Sequence, residues 1–543
     1  MSLGEAPKHD DLFRSSTSYC AELSETSIYR LLHERGPALF PDESFADLFA
    51  EVGRNSVAPQ IVATVLVLQR VEGLSDREAV DRFAYDLRWK YAAGVDLDYP
   101  SFVHTVLVNM RARLRDSKRP DRIFEAALAM AKEAGLVGRK RVLDSTALYD
   151  AVATQDTVTM IRAAIRALLN VADKALAAEL RGLLKRDDTY EAPGKPACDW
   201  DDKPAREALV DALAWDAFAV LTALDGREVS APVKQAAELV ATVVGQDLET
   251  RADGIIVIAR RVAPDRVISV VDPEARHGHK TAARGFDGYK GHIAVDPDSE
   301  IITAVDVTAG NVGDGSVAKV LLADVLPSTE NDEVQDAVHA TAEVQDAPHA
   351  PTEAQDAAHA TAADPVEVFG DASYGTADVV ETLEQAGIEP NVKVQPPSAR
   401  EGMYSQDAFT IDVTANTVGC PAGQLVPLRR SKDGAGHASF GASCNDCPQK
   451  HNCTTSKDGR SVNVHAKHEV LDRARKRQRD PAWRRNYRAT RPKVERKLAH
   501  MMRRKHGGRR ARVRGTVRVR QDFALLAAAV NLVRLAKLCT AVE

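Results

Sequence analysis

The chain has 543 residues, of which 44% are hydrophobic and 28% charged, and its formal net charge is −6. This length and composition fit a globular protein of several domains. Because no stretch of about 18 uncharged apolar residues occurs, and because seven cysteines are too few for a disulfide framework, a membrane protein and a disulfide scaffold are excluded. The first residues lack a basic region followed by an apolar core, so we expect a cytoplasmic protein.

The charge is unevenly distributed along the chain. Residues 461–520 hold 22 Lys and Arg against four acids, a net of +18, so the remainder carries −24. A block this basic in an acidic protein is typical of binding to a polyanion such as nucleic acid. The alternative is a solvated basic helix face.

A helical pattern begins near residue 45. Pro59 opens an apolar helix, Gly73 ends it, and a capping box of Ser75 and Glu78 starts the next helix, predicted over 78–92. This arrangement is compatible with a helix-turn-helix unit that binds DNA, and equally with an ordinary helical bundle.

Two short strand-like runs each end in an aspartate followed by small residues. One run ends at Asp144, and the other ends at Gly370-Asp371 before a helix that Thr376 would cap. Open α/β sheets bind ligands at the carboxyl ends of their strands, so the two aspartates would converge if the strands are neighbours. The alternative is that both are turn formers or caps.

Between and after these aspartates the pattern alternates between helix and strand. Residues 157–249 have apolar positions at three and four spacing, which predicts an all-α insertion between two halves of a sheet domain. The remaining predicted elements are strands at 266–271, 289–295, 301–307 and 388–394, the second and third forming a hairpin, and helices at 27–34, 317–326 and 523–538, the last packing on the sheet.

A decapeptide is written three times within residues 333–362. The segment is poor in large apolar groups, so we expect a disordered insert. His339, His349 and His359 recur every ten residues and are candidate metal ligands, although repeat expansion explains their spacing better.

Four cysteines cluster in the second half of the chain. Cys420 precedes the pair Cys444 and Cys447, and Cys453 follows. Four thiolates suit tetrahedral Zn²⁺, which would cross-link a region too small for its own core. The alternative is four reduced cysteines in a loop-rich insertion, with His451 as a substitute ligand.

A third acid lies within the basic block. Tyr487, Arg491 and Glu495 are spaced i, i+4, i+8, which predicts that they share one face of a helix. Glu495 would either form surface ion pairs with Arg491 and Arg496 or join the two aspartates as a hard oxygen ligand for Mg²⁺.

Together these motifs resemble the DDE transposases of bacterial insertion sequences. The resemblance rests on Asp144 in VLDST, the segments FDGYKGHIAVD and ITAVDVTAGNVGD, Asp371 in GDASYG, and the set of Tyr487, Arg491 and Glu495. The CPAGQ and CNDCP cysteines look like those of the eleven-eighty-two group. The resemblance covers roughly residues 30–540 and depends on the order of the motifs more than on any one of them.

The resemblance implies an α/β fold, with an RNase H-like mixed sheet and flanking helices, an N-terminal all-α domain, a helical insertion and a cysteine-rich insertion. The expected organisation, in chain order, is an N-terminal arm (1–40), a helical region that is a candidate helix-turn-helix DNA-binding domain (41–125), the first part of the catalytic domain (136–156), the helical insertion (157–250), catalytic-domain strands (251–328), the low-complexity repeat (329–364), more of the catalytic domain (365–400), the cysteine-rich insertion (401–465) and the basic C-terminal part with the glutamate helix (466–543).

By the same resemblance, Asp144, Asp371 and Glu495 form a catalytic triad that binds two Mg²⁺ or Mn²⁺ ions. Cys420, Cys444, Cys447 and Cys453 are candidate ligands of a structural Zn²⁺. The candidate DNA contacts are Tyr487, Arg491, Lys493, Arg503, Lys280 and Lys290, with solvated lysines as the alternative for the last two.

Two positions depart from the family pattern. Three residues instead of two separate Tyr487 from Arg491, and Met502, with Arg503 beside it, stands where the family has lysine. The implied activity is Mg-dependent cleavage at insertion-sequence ends and strand transfer into target DNA. The implied partners are double-stranded DNA and a second copy in a synaptic homodimer, in a nucleoid-associated protein. The alternatives are an RNase H-like nuclease without strand transfer and a catalytically inactive DNA-binding protein.

Overall fold

A computed structural model describes residues 1–5, 15–150, 154–281, 283–327 and 365–539. The decapeptide repeat, with His339, His349 and His359, lies outside these ranges. Within them, no helix combines the length and apolar character that a bilayer crossing requires. The helices that precede the first long strand are α1 (Ser16–Tyr19), α2 (Ile28–Leu39), α3 (Pro59–Glu72), α4 (Asp76–Tyr85), α5 (Leu87–Ala92), α6 (Thr105–Asp116) and α7 (Arg122–Glu133).

The local signals in this region act as expected, with one correction. Pro59 begins α3, Gly73 ends it in the left-handed conformation with φ 68°, and the capping box of Ser75 and Glu78 is present. The predicted single helix over 78–92 is wrong. Asp86 adopts an extended backbone that ends α4, and its side chain accepts a hydrogen bond from Arg88 N to cap α5.

The elements that follow are β1 (Lys140–Tyr149), α8 (Thr157–Val171), α9 (Lys174–Leu183), α10 (Lys203–Leu224), α11 (Ala231–Asp247), β2 (Leu248–Thr250), β3 (Ile256–Ile258), β4 (Arg276–Thr281), β5 (Arg284–Val295), β6 (Ile302–Ala309), α12 (Ala318–Leu321), β7 (Glu367–Gly370), α13 (Ala377–Gln385) and β8 (Glu389–Val392). The helical prediction for 157–249 is confirmed by α8 to α11. The helix predicted over 317–326 is limited to α12.

The cysteine-containing region consists of short strands, and the basic block consists of helices. The strands are β9 (Thr410–Asp412), β10 (Thr417–Gly419), β11 (Leu425–Pro427), β12 (Arg429–Arg430), β13 (Gly436–Ser439) and β14 (Ser461–Val464). The helices are α14 (His468–Arg479), α15 (Pro481–Thr490), α16 (Pro492–Met501) and α17 (Thr516–Leu538).

Six strands form the central mixed sheet. Its order is β6-β5-β1-β7-β8, and β4 also pairs with β5. The β5–β6 pair confirms the predicted hairpin, with Tyr289 opposite Ala309. β1 pairs antiparallel with β5 and parallel with β7, which pairs parallel with β8. The structure is therefore a mixed α/β fold with a mixed sheet and flanking helices.

The strand predicted at 266–271 does not form. Only Val267 makes an isolated bridge, to Arg276. The backbone N–H and C=O of Val267 are instead bonded by the side chain of Gln246 on α11, at 2.8 and 3.0 Å. The β-branched side chain of Val267 therefore packs against helices and does not contribute to a strand.

Helices cover both faces of the central sheet. Alternate residues of β1 point to opposite sides, so Val142 packs in a core with the N-terminal helices and α17, whereas Leu143 packs with the side of α12 and α13. The prediction that the last apolar helix packs on the sheet is confirmed. Asn531 on α17 is fully buried and bonds both backbone groups of Ile302, the first residue of β6, at 2.9 and 2.8 Å.

Candidate active site

The parallel pairing of β1 with β7 brings two predicted acids together. Val142 lies opposite Phe369 in this pair, and each aspartate follows two residues later in its own chain segment. β7 ends before Asp371, as predicted, but Asp144 is in the interior of β1 and not at its end. The prediction of a strand end there is wrong because β1 continues to Tyr149 against β5.

The third acid comes from the helices of the basic block, which are not continuous. Pro492 has no N–H and begins α16, so the single helix expected through Glu495 is split after Thr490. Arg491 nevertheless keeps helical dihedral angles at the junction. The hydroxyl of Tyr487 donates a hydrogen bond to the carbonyl of Gly370 at 3.2 Å, which fixes α15 beside the end of β7.

Three carboxylates converge on the guanidinium of Arg491. Its Nη2 lies 2.9 Å from Asp144 Oδ1 and 3.8 Å from Asp371 Oδ2. Its Nη1 lies 3.6 Å from Glu495 Oε1. The structure therefore brings together the three acids and the arginine that the sequence singled out.

The three acids differ in exposure. The side chain of Asp144 is 12% exposed, that of Asp371 40% and that of Glu495 63%. Burial raises the pKa of Asp144 above its usual range, although the charge and hydrogen bond of Arg491 act in the opposite direction. One guanidinium therefore does not compensate the loss of water around this carboxylate.

The acids line a cleft of about 420 Å³. Lys280 on β4 and Lys290 on β5 line the same cleft, as do His279 and Arg509, which sequence reasoning missed. The other two predicted DNA contacts are placed elsewhere. Lys493 Nζ lies 3.0 Å from Asp298 in the turn between β5 and β6. Arg503 is exposed and does not line the cleft, whereas its neighbour Met502 does.

A fourth acid in the cleft, Asp314, was also missed. It is buried, accepts a hydrogen bond from Ser145 Oγ at 2.6 Å and lies 2.9 Å from Lys290 Nζ. Lys290 also donates to the carbonyl of Val312 at 2.8 Å, so two acceptors fix its ammonium group at the cleft wall. The available signal was an aspartate shortly after the predicted hairpin, in GNVGD.

A buried histidine lies behind this wall. His292 is fully buried, and its ring nitrogens lie 2.9 Å from Tyr374 Oη and from Thr308 Oγ1. Burial lowers the pKa of His292 to about 4, although Asp314 and Asp306 raise it. The imidazole is therefore neutral at pH 7.

Because His292 is buried in its neutral form, we expect the fold to lose stability at acidic pH. The unfolded chain binds a proton at His292 below about pH 6.5, whereas the folded chain binds it only near pH 4. The free energy of unfolding is therefore expected to fall by up to about 3 kcal/mol as the pH decreases across this window. Thermal melts from pH 7 to 4 measure it. His292→Gln should flatten the slope and exposed His437→Gln should not; equal slopes in all three proteins would contradict the prediction.

The donor set fits a divalent cation in charge and chemistry. Three carboxylates and one guanidinium leave a local charge of −2, and carboxylate oxygens are the ligands that Mg²⁺ prefers. The nitrogens of one guanidinium lie within 4 Å of the three acids, Nη2 near Asp144 and Asp371 and Nη1 near Glu495. As the side chains stand, however, no three His, Cys, Asp or Glu groups among the described residues are arranged to hold a metal ion.

The four clustered cysteines surround a cavity of about 20 Å³ between the short strands, together with Arg460. All four are free thiols. Burial raises the pKa of Cys453, with the three neighbouring thiols acting in the same direction and Arg460 opposing. His451 is not among the residues that line this cavity in the described part of the chain.

Three separate parts of the chain match families of transposase domains. Residues 21–113 match the family described as Transposase domain (DUF772), and residues 217–332 and 419–536 each match a family described as Transposase DDE domain. The last match contains Tyr487, Arg491 and Glu495, whereas Asp144 and Asp371 lie outside all three. Neither curated proteins nor solved structures give a significant match.

The three matches together support a DDE transposase of insertion sequences. DDE domains imply a metal-dependent enzyme of phosphoryl transfer on DNA, with DNA as its partner. The DDE transposase family implies that activity depends on a divalent metal ion, typically Mg²⁺.

Proposed function

We propose that this protein cleaves DNA at the ends of an insertion sequence and joins those ends to target DNA. Asp144, Asp371 and Glu495 are assigned as the ligands of two Mg²⁺ or Mn²⁺ ions. The observation that carries the proposal is the convergence of these three carboxylates on one cationic group, each within 4 Å of it.

The sheet order supports an RNase H-like catalytic domain. In the strand order β6-β5-β1-β7-β8, the first three strands pair antiparallel, and β7 and β8 follow in parallel with β1. The three acids come from β1, from the end of β7 and from α16. We assign this domain to residues 136–156, 251–328, 365–400 and 466–543. On this assignment the helices of 157–250, the repeat of 329–364 and the cysteine-rich region of 401–465 are insertions, and residues 41–125 contribute to DNA binding.

The chemistry divides between the metal ions and the side chains of the cleft. The carboxylates would hold the divalent ions, which would supply Lewis acidity for the charge that develops on the attacking and leaving oxygens. Lys280, Lys290 and Arg509 bind the phosphates of the DNA strand, and Tyr487 holds the end of β7, and with it Asp371, in place.

The basic helices support duplex DNA as the substrate. The net charge of +18 over residues 461–520 would neutralise phosphates of a bound duplex. On this proposal a homodimer brings two ends together, and the protein is nucleoid-associated.

The test is a cleavage and joining assay with the full chain, a duplex carrying the element's own end, a supercoiled target plasmid and Mg²⁺. Cleaved ends covalently joined to the plasmid are expected. Glu495→Gln should lose both products, and Glu228→Gln, a change on the exposed surface of the helical region, should keep them. Cleavage without joining would indicate an RNase H-like nuclease, and binding without cleavage an inactive DNA-binding protein.

We further propose that Cys420, Cys444, Cys447 and Cys453 bind a structural Zn²⁺, since the four thiols surround one small cavity. Purified protein should contain about one zinc per chain. Cys444→Ser should lose the metal and expose the short strands to proteolysis, while Cys198→Ser, outside the cluster, should retain it. Metal analysis and limited proteolysis measure both, and a zinc-free wild type that resists the protease would reject the site.

A further inference from the structure

Arg491 is buried in an unusual electrostatic position. Its side chain is 7% exposed, yet within the described residues its Nε and Nη1 have no hydrogen-bond partner. Among its ion pairs with the three acids, only that of Nη2 with Asp144 Oδ1 is within hydrogen-bond distance; those with Asp371 and Glu495 are longer. The guanidinium therefore lies between three anions while using few of its five donors.

This position excludes a divalent ion from the same place. A cation bound by all three carboxylates would lie within a few ångströms of the guanidinium, and like charges at that separation repel strongly where water is excluded. Arg491 must therefore move away for the three acids to bind metal together.

The cleft supplies a destination for the displaced arginine. Arg491 lines the cleft that also contains Lys280 and Lys290. A phosphate offers two oxygens to a guanidinium in a bidentate geometry, which would satisfy the donors that are unpaired in the free protein. The cost of removing Arg491 from the carboxylates is thereby offset only when DNA is present.

We propose that Arg491 occupies the cation position of the acid cluster in the free protein and moves to a DNA phosphate in the complex, so that metal binding and DNA binding are coupled. The proposal rests on the proposed function, because it takes Asp144, Asp371 and Glu495 as the metal ligands. Linkage makes the coupling reciprocal: DNA strengthens metal binding by the same factor by which metal strengthens DNA binding.

The experiment is a Mn²⁺ titration followed by electron paramagnetic resonance, with the full chain alone and with a pre-cleaved end duplex. In wild type, DNA should tighten Mn²⁺ binding about tenfold or more. Arg491→Gln should bind Mn²⁺ tightly without DNA and show little further gain. The matched control is Arg181→Gln, which removes the same charge from exposed surface on α9, outside the basic block, and should behave as wild type.

The outcomes separate this inference from the proposed function. If wild type binds Mn²⁺ and DNA does not change its affinity, the coupling is refuted while the metal site stands. If Asp371→Asn binds Mn²⁺ in the presence of DNA as tightly as wild type does, the acid cluster is not the metal site and the proposed function fails as well. The wild-type measurement needs no variant, so a folding defect in Arg491→Gln does not prevent a decision.

Discussion

Asp144→Asn is expected to reduce the rate of DNA cleavage by about 1,000-fold or more. Asp144 is the most buried of the three acids, and it accepts hydrogen bonds from Ser145 N and Arg491 Nη2, both at 2.9 Å, on the same oxygen. Asparagine has nearly the same shape and retains an acceptor there, but its neutral amide cannot replace the charge that, on the proposed function, would hold a metal ion. The chain should therefore stay folded and lose its chemistry.

Single-turnover cleavage of a duplex carrying the element's end measures the rate, and fluorescence anisotropy measures DNA binding. Asp187→Asn, an exposed aspartate of the helical region, serves as the control and should cleave as wild type does. If Asp144→Asn cleaves within tenfold of wild type, Asp144 is not a metal ligand. A variant that neither binds DNA nor melts at the wild-type temperature would show a structural role instead.

Arg141→Leu is expected to lower the stability of the sheet by about 3–5 kcal/mol. Arg141 is the second residue of β1, and its side chain is buried, with Nη2 2.6 Å from Asp324 Oδ2 and Nη1 3.9 Å from Asp296 Oδ2. It also donates to the carbonyls of Gly138 and Lys140. Leucine fills part of the space but leaves two carboxylates without their cation.

Hydrogen exchange of β1 measures this effect locally, which suits a chain of several structural units. The neighbouring Lys140→Leu is a matched control: its ammonium lies 3.3 Å from Glu367 and is 41% exposed, so it should cost at most about 1 kcal/mol. Equal protection of β1 amides in the two variants would rule out a structural role for the buried pair.

The sequence predicted those parts of the site that depend on local signals. β7 and the helix capped by Thr376 follow from a β-branched run, a glycine and a hydroxyl cap, all read within a few residues. The β5–β6 hairpin and the capping box of Ser75 follow in the same way. To predict that Asp144 and Asp371 lie close together, it was enough to assume that their strands are neighbours in the sheet.

The parts that sequence reasoning missed depend on contacts between distant segments. Asp314 becomes a site residue only because β6 places it beside Ser145 and Lys290. The strand predicted at 266–271 was prevented by the side chain of Gln246, which has no periodic signature. The position of Arg491 between three acids follows from packing of α16 against β1, which an i, i+4 spacing alone does not specify.

The N-terminal helices share one hydrophobic core with the last helix of the chain. This core extends from Ile28 on α2 through Val65 on α3 to Leu535 on α17, and Glu495 also lies near the end of the sequence. During synthesis on the ribosome, the first helices therefore emerge long before their packing partner. The acid cluster likewise gains its third member last, because Glu495 follows both Asp144 and Asp371 along the chain. On the proposed function, a nascent chain that ends before Glu495 therefore carries Asp144 and Asp371 without the third proposed metal ligand, and it is not expected to cut DNA.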